Sequence, residues 1–228
     1  MIEMKDVYKK YPNGVTAANG INVNIDAGEF VYVVGPSGAG KSTFIKMMYR
    51  EEKATKGTIT VNGINLATLK NKHVPIFRRN IGVVFQDFKL LNSMTVYDNV
   101  AFAMEVIEEQ PNVIRKRVLE TLDLVGLKHK ARMLPTELSG GEQQRVSIAR
   151  SIVNSPKVVI ADEPTGNLDP DTSWGIMKIF EEINLRGTTI VMATHNKDIV
   201  NGIKHRVIAV EGGKIARDQQ KGEYGYEG

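Results

Sequence analysis

Apolar residues are gathered into short runs broken by turn residues, and those runs alone predict most of the elements. "MIEMKDVYKKY", "INVNID" and "EFVYVV" read as strands, separated by Pro12, Asn13 and Gly14 and by Asp26, Ala27 and Gly28. "FIKMMYR" reads as a helix. "GTITVNGINL" sets Asn62-Gly63 between alternating apolar residues, a strong hairpin signal, and "IGVVFQ" is a further strand. The pattern then turns helical. "TVYDNVAFAMEVI" has periodic apolar positions, and "PNVIRKRVLETLDLVG" runs from Pro111 to Gly126 with Val118, Leu122 and Val125 on one face. "KVVIAD" and "TTIVMATH" restore strands, with the helical "TSWGIMKIFEEINLR" between them, an alternation that implies parallel strands joined by crossovers. The expected fold is α/β in one domain. Residues 1–87 and 157–220 form the α/β lobe, with an antiparallel β portion, and 88–156 form an inserted helical lobe. The polar end "RDQQKGEYGYEG" is expected to fray.

Composition narrows the function. The 228 residues suffice to bury a core. Cys is absent, which excludes thiol catalysis and Cys-ligated metals and agrees with a reducing compartment. The net charge of +4 is spread among interspersed acids and bases, so no nucleic-acid partner is implied. No apolar run approaches the roughly 20 residues that span a bilayer, and "MIEMKDVYKK" is not a signal peptide. Any membrane role is expected to come through a partner.

The chemistry begins at "GPSGAGKST", residues 35–43, between a strand and a helix. A glycine-rich turn at a helix start points free backbone N–H groups at one spot, where the helix dipole adds to them. Gly35, Gly40, Lys41 and Ser42 fit G-x-x-x-x-G-K-[ST], the phosphate-binding loop. The glycines let the backbone wrap phosphates, Lys41 is expected to reach the β- and γ-phosphates, and Ser42 to sit on Mg²⁺.

"KVVIADEP" places Asp162 and Glu163 at the tip of an apolar strand. Adjacent acids there need a cation or donors. Beside a phosphate loop, Asp162 suits the metal, which leaves Glu163 to act on the attacking water. In "LSGGEQQRVSIARSI", Ser139 and Glu142 make a capping box that opens a second helix start loosened by glycines. One phosphate loop does not need two such starts. The second makes sense if it faces a nucleotide held by another copy of the chain.

These three motifs, in their order along the chain, resemble those of ATP-binding cassette (ABC) ATPases: "GPSGAGKST" the Walker A motif, "LSGGEQ" the family signature, and "VVIADE" Walker B. The resemblance covers essentially the whole chain. It implies ATP and Mg²⁺ as ligands, with Gly35, Pro36, Ser37, Gly38, Ala39, Gly40, Lys41, Ser42 and Thr43 around the phosphates, and Ser139, Gly140 and Gly141 closing from a second copy in an ATP-bound homodimer. Tyr11 matches the aromatic that stacks on adenine, although Tyr8 could take that place or Tyr11 a core one. Gln86 matches the Q-loop glutamine, which senses metal and water. His195 matches the switch histidine at the γ-phosphate, and Asp169 in "GNLDP" matches the D-loop aspartate. The implied catalytic set is Glu163, His195, Gln86 and Lys41, and the implied metal set is Ser42, Gln86 and Asp162.

"ADEPTGNLDP" resembles the branch containing lipoprotein-release, macrolide-efflux and cell-division ATPases, and "VVFQDFKLLNSMTVYDNVAFAM" resembles its cell-division members. That implies a cytoplasmic ATPase docked on an integral membrane protein at the division septum, linked indirectly to peptidoglycan hydrolases. The alternatives are the ATPase of an exporter from the same branch and a nucleotide-occupied scaffold. Phe88, Leu90 and Leu91 are too apolar for a plain exposed loop, so the membrane partner is expected to dock there, unless they fill the core between lobes.

Overall fold

In the computed structural model, which describes residues 1–225, the chain opens with β1 (Ile2–Lys10), β2 (Thr16–Ile25), β3 (Phe30–Val34) and α1 (Lys41–Met48). Then come β4 (Lys56–Val61), β5 (Ile64–Asn65), α2 (Val74–Arg78) and β6 (Ile81–Val84). Three helices follow: α3 (Val96–Glu105), α4 (Pro111–Leu124) and α5 (Gly140–Ile152). The last third runs β7 (Val158–Asp162), α6 (Pro170–Leu185), β8 (Thr189–Ala193), α7 (Lys197–Gly202), β9 (Arg206–Glu211) and β10 (Lys214–Gln219).

Two sheets result. One is antiparallel, in the order β2-β1-β4-β5. The other, β10-β9-β3-β8-β7-β6, is parallel except at the β10 edge. At the β4–β5 hairpin both turn residues, Asn62 (φ 52°) and Gly63 (φ 78°), are left-handed, the twist that matches the flanking strands. The parallel strands are buried on both faces. Phe30, Tyr32, Val34, Val159 and Ala161 join the core shared with α3–α6, while Val31, Val33, Val158 and Ile160 join the core shared with α1 and the antiparallel sheet. Both faces being dry is why these strands read as continuous apolar runs.

Three expectations need correction. β2 starts at Thr16, well before "INVNID", because Thr16 and Ala18 pair with Lys10 and Lys9 of β1; register imposes a strand on "TAANG", which has little propensity for one. The "IGVVFQ" strand ends at Val84, leaving Phe85 and Gln86 in the loop. The polar tail is anchored. Arg217, Asp218 and Gln219 belong to β10, Arg206 grips Asp218 with two bonds of 2.8 and 2.7 Å, and the N–H of Tyr224 donates to Asn201 at 2.8 Å. The last three residues of the expected frayed end lie outside the described residues.

Candidate functional site

The carboxyl ends of β3, β7 and β8 are neighbours in the parallel sheet, so the loops after them converge. After β3 comes the phosphate loop. Gly35 and Gly40 are required by their neighbours: a Cβ would lie 2.2 Å from the Val210 carbonyl at Gly35 and 2.2 Å from the Ala17 carbonyl at Gly40. The loop is thus pressed against β9 on one side and β2 on the other. The N-cap of α1 is Gly40, which offers no side-chain acceptor, so the first N–H groups of the helix are left for a ligand. The Lys41 ammonium donates to the carbonyls of Gly35 (2.8 Å) and Pro36 (3.1 Å) and lies inside the curve of its own loop. Thr43 shares a 3.1 Å hydrogen bond with the Tyr11 hydroxyl, which fixes Tyr11 beside the loop, and the Lys9 ammonium sits 4.7 Å from the Tyr11 ring centre.

β7 delivers the two acids differently. The Ser42 hydroxyl donates to Asp162 at 3.5 Å, a long bond that ties the phosphate loop to the strand end. Burial first, and then the charge of Glu163, push the Asp162 carboxyl above the usual carboxylate range; Lys46, Ser42 and Lys41 oppose this without overcoming it. A half-buried acid that its own surroundings leave short of positive charge suits a cation. With the Ser42 hydroxyl beside it and room for phosphate oxygens, the donor set is the hard-oxygen kind that Mg²⁺ takes. No cluster of three acidic, His or Cys side chains that could hold a metal by themselves occurs among the described residues.

Glu163 adopts left-handed backbone, φ 49°, with its N–H on the carbonyl of Ala193 at the end of β8. Such a conformation is costly for a residue with a Cβ and persists only where the surroundings hold it. Its effect is to swing the carboxylate toward the loop after β8. There the His195 backbone N–H donates to Oε2 at 3.1 Å, and Nδ1 of the ring lies 2.7 Å from the same oxygen. A carboxylate accepts, so Nδ1 carries the hydrogen and the Nε2 of a neutral ring is an acceptor.

The remaining predicted residues have other partners: the Gln86 side-chain amide donates to Asn167 Oδ1 at 3.1 Å. Ser139 caps α5 by accepting from the Glu142 N–H at 3.3 Å, while Glu142 returns a bond to the Ser139 N–H at 3.0 Å and pairs with Lys130 at 2.5 Å. The Lys130 ammonium, with the Ser139 N–H, holds the Glu142 carboxyl below its usual range. Gly141 has a reason inside the chain: its Cβ would meet Thr172 at 2.3 Å, where α5 crosses the start of α6. Gly140 has none, since a Cβ there makes only ordinary contacts at 3.7 and 3.8 Å with Leu168 and Phe88. Asp169 caps α6 by accepting from the Thr172 N–H at 2.9 Å, and hydrogen bonding to Thr172, through its side chain first and then its backbone, holds the Asp169 carboxyl below its usual range.

Sequence reading passed over the residues that tie these loops together. Gln144, fully buried on α5, donates from one amide nitrogen to the carbonyls of Phe85 (3.3 Å) and Pro164 (2.7 Å). Arg150 donates to the carbonyls of Phe88 and Lys89 at 2.9 and 2.7 Å. The signal for Gln144 was available: it lies four residues before Ile148, on the apolar face of its helix. Between β6 and the helices α3 and α5 runs a groove of about 410 Å³, lined by Phe85, Leu91, Phe102, Val106 and Ile107 among others, with Leu91, Phe102 and Val106 exposed. Of the three residues expected to dock a partner, only Leu91 lines it. Leu90 packs on the core, and Phe88 is half-buried beside Gly140.

A phosphate loop, a half-buried acid at a strand tip and, next to it, a glutamate held by a histidine from the neighbouring strand's loop define a nucleotide hydrolase of the ABC ATPase class. The family model described as "ABC transporter" matches residues 18–166. Over 225 residues the chain is 75% identical to the "Cell division ATP-binding protein FtsE" of Bacillus subtilis (strain 168), covering 99% of both. It is 45% identical to the protein of that name in Escherichia coli (strain K12), over 94% of this chain and 97% of the other. A solved dimer of the ATP-binding cassette MJ0796, described as a post-hydrolysis state bound to ADP and Pi, superposes with a TM-score of 0.87 at 34% identity, covering 98% of this chain and 100% of that one. The chain belongs to the ABC transporter ATPase family and, within it, to the FtsE group.

Proposed function

We propose that the chain is the ATP-hydrolysing subunit of a membrane complex that acts in cell division, that it works as a homodimer with ATP and Mg²⁺, and that it docks on an integral membrane protein resembling FtsX. The contact between Glu163 and His195 carries this reading, because a pure nucleotide scaffold has no need of an aimed carboxylate.

ATP entering the loop after β3 meets the free N–H groups of α1. The Lys41 ammonium exchanges two carbonyl partners, Gly35 and Pro36, for phosphate oxygens, a move of one flexible side chain. Ser42, Asp162 and Gln86 are the residues that would hold the metal, which when bound would neutralise charge on the phosphates. Glu163 orients the attacking water and receives its proton. His195 keeps that carboxylate aimed through Nδ1 and its backbone N–H, which leaves Nε2 for the γ-phosphate. A second copy completes the site with the start of its α5, where Gly140 leaves room that nothing in its own chain demands. Asp169, at the start of α6, lies at the same closure.

No helix among the described residues is long and apolar enough to cross a membrane. Attachment through the groove between lobes fits that: its exposed Leu91, Phe102 and Val106 suit an amphipathic helix of the partner, seated where the two lobes meet. Closure of the dimer on ATP then reaches the membrane subunit and, through it, peptidoglycan hydrolases at the septum.

Capture of the full-length protein from membranes in mild detergent tests the assignment. Recovery of an FtsX-like subunit, with ATP turnover that changes when it is bound, is the expected result. A permease linked to a transported substrate would move the chain to the exporters of its branch, and turnover absent from the intact complex would make it a scaffold.

A further inference from the structure

Lys9 takes no part in the steps above, yet its ammonium is built in beside the phosphate loop's tyrosine. It stands two residues before Tyr11 in the extended chain at the end of β1, and residues so spaced share a face. The ammonium lies 4.7 Å from the centre of the Tyr11 ring, pairs with Glu52 at 2.5 Å and donates to the Lys53 carbonyl at 3.0 Å. Its side chain is only 12% exposed, whereas lysine is ordinarily among the least buried residues. Holding it there costs hydration and the freedom of a long stem. The Tyr11 ring is fixed on its other sides as well. Its backbone N–H donates to the Val15 carbonyl at 2.8 Å, its carbonyl accepts from the Gly14 N–H at 3.0 Å, and its hydroxyl shares the 3.1 Å bond with Thr43. With backbone, hydroxyl and one face engaged, the opposite face is left for a ligand.

We propose that Lys9 is a positioning residue for the nucleobase, whose ammonium, clamped by Glu52, backs one face of Tyr11 so that the base stacks on the other. This rests on the reading of Tyr11 as the aromatic that stacks on adenine. The faces of aromatic rings are negative and repel one another where they overlap; a cation behind the ring draws density away from the face that the base meets. A ring already held in place also loses little freedom when the base arrives. Both effects act on the base. Glu52 neutralises the longer-range pull of the ammonium, so the phosphates at the start of α1 gain little from it.

Calorimetry on the full chain with Mg-ADP and with Mg-pyrophosphate, a diphosphate without a nucleoside, tests this free of turnover. Lys9→Met keeps the stem and removes the charge. It is expected to weaken ADP binding about fivefold, the scale of a cation–π contact with little water around it, and to leave pyrophosphate binding unchanged. Lys9→Arg should restore most of the loss, and with Tyr11→Leu present Lys9→Met should change nothing further. Because Lys9→Met strands the Glu52 carboxylate, the double variant Lys9→Met with Glu52→Gln repeats the measurement in a fold relieved of that charge and should show the same selective loss. Equal weakening of both ligands, no weakening of ADP, or a Lys9 effect that survives Tyr11→Leu would overturn the proposal, the first by making Lys9 a brace for the fold and not for the base. A Tyr11→Leu protein that binds ADP as tightly as the parent would overturn the stacking reading beneath it, a result distinct from an unchanged Lys9→Met protein in which Tyr11→Leu still weakens ADP.

Discussion

Nδ1 of His195 lies 2.7 Å from Oε2 of Glu163, and the His195 backbone N–H donates to that same oxygen at 3.1 Å. The glutamate is thus held twice by one residue, once through a ring and once through a peptide group. Glu163→Gln removes the base and is expected to lower kcat at least ~100-fold, with ATP binding retained. His195→Ala keeps the backbone donor and should lose less, with ATP affinity nearly unchanged. Lys41→Ala should lose nucleotide binding itself. Steady-state kinetics alongside direct binding separates the three, and equal loss of affinity in the His195 and Lys41 variants would refute the division of labour.

Asp162 sets stability against function. Its carboxyl pKa is raised in the fold, by burial and by Glu163. The unfolded chain therefore gives up this proton at lower pH than the native one, and native stability falls as pH rises from the ordinary carboxylate pKa through the raised one. Asp162→Asn removes that deficit. In the absence of nucleotide and metal the variant should melt a few degrees higher than the parent at pH 7, with the gain shrinking as pH falls through the carboxylate range. A melting difference that does not vary with pH would contradict the assignment.

Asn99 tests how the groove is built. Fully buried on α3, it donates to the carbonyls of Leu91, Met94 and Thr95 and accepts from the Leu91 N–H at 2.8 Å. Asn99→Ala strands those backbone groups and is expected to cost ~1–3 kcal/mol in urea unfolding. A cost near zero would mean that the loop is not held by this side chain.

Phe102 and Val106 are exposed on the groove wall and touch no nucleotide element. Phe102→Asp should reduce co-purification with the membrane partner at least tenfold while ATP binding by the isolated subunit stays as it was. Retained capture together with intact folding would place the docking site elsewhere.

What the sequence disclosed, and what it did not, follows from the range over which each signal acts. The phosphate loop, the Asp162–Glu163 pair and the α5 capping box are local, so nine residues or fewer announce each of them. The parallel strands were legible because burial on both faces leaves an apolar run. β2 was read short because its first residues become strand only by pairing with β1, and β10 was missed because its polar residues are held by β9 and Arg206. Asn167, Gln144 and Arg150 act on carbonyls or amides 20 to 81 residues away; the place of Gln144 on the apolar face marks it as buried, but no local pattern encodes which groups these side chains reach. Phe88 shows the same limit: apolar character marked it as covered, but its burial beside Gly140 rather than in the groove depends on the left-handed turn at Phe88 and Lys89.

Light scattering of the Glu163→Gln protein with ATP and Mg²⁺ tests the central claim, that two copies close on the nucleotide with the α5 start of each facing the phosphate loop of the other. The account predicts a doubling of mass that reverses when EDTA is added and is abolished by Gly140→Arg, which fills the space left at the α5 start without touching the chain's own phosphate loop. A Glu163→Gln protein that binds ATP yet stays monomeric, or a dimer that Gly140→Arg leaves intact, would contradict it.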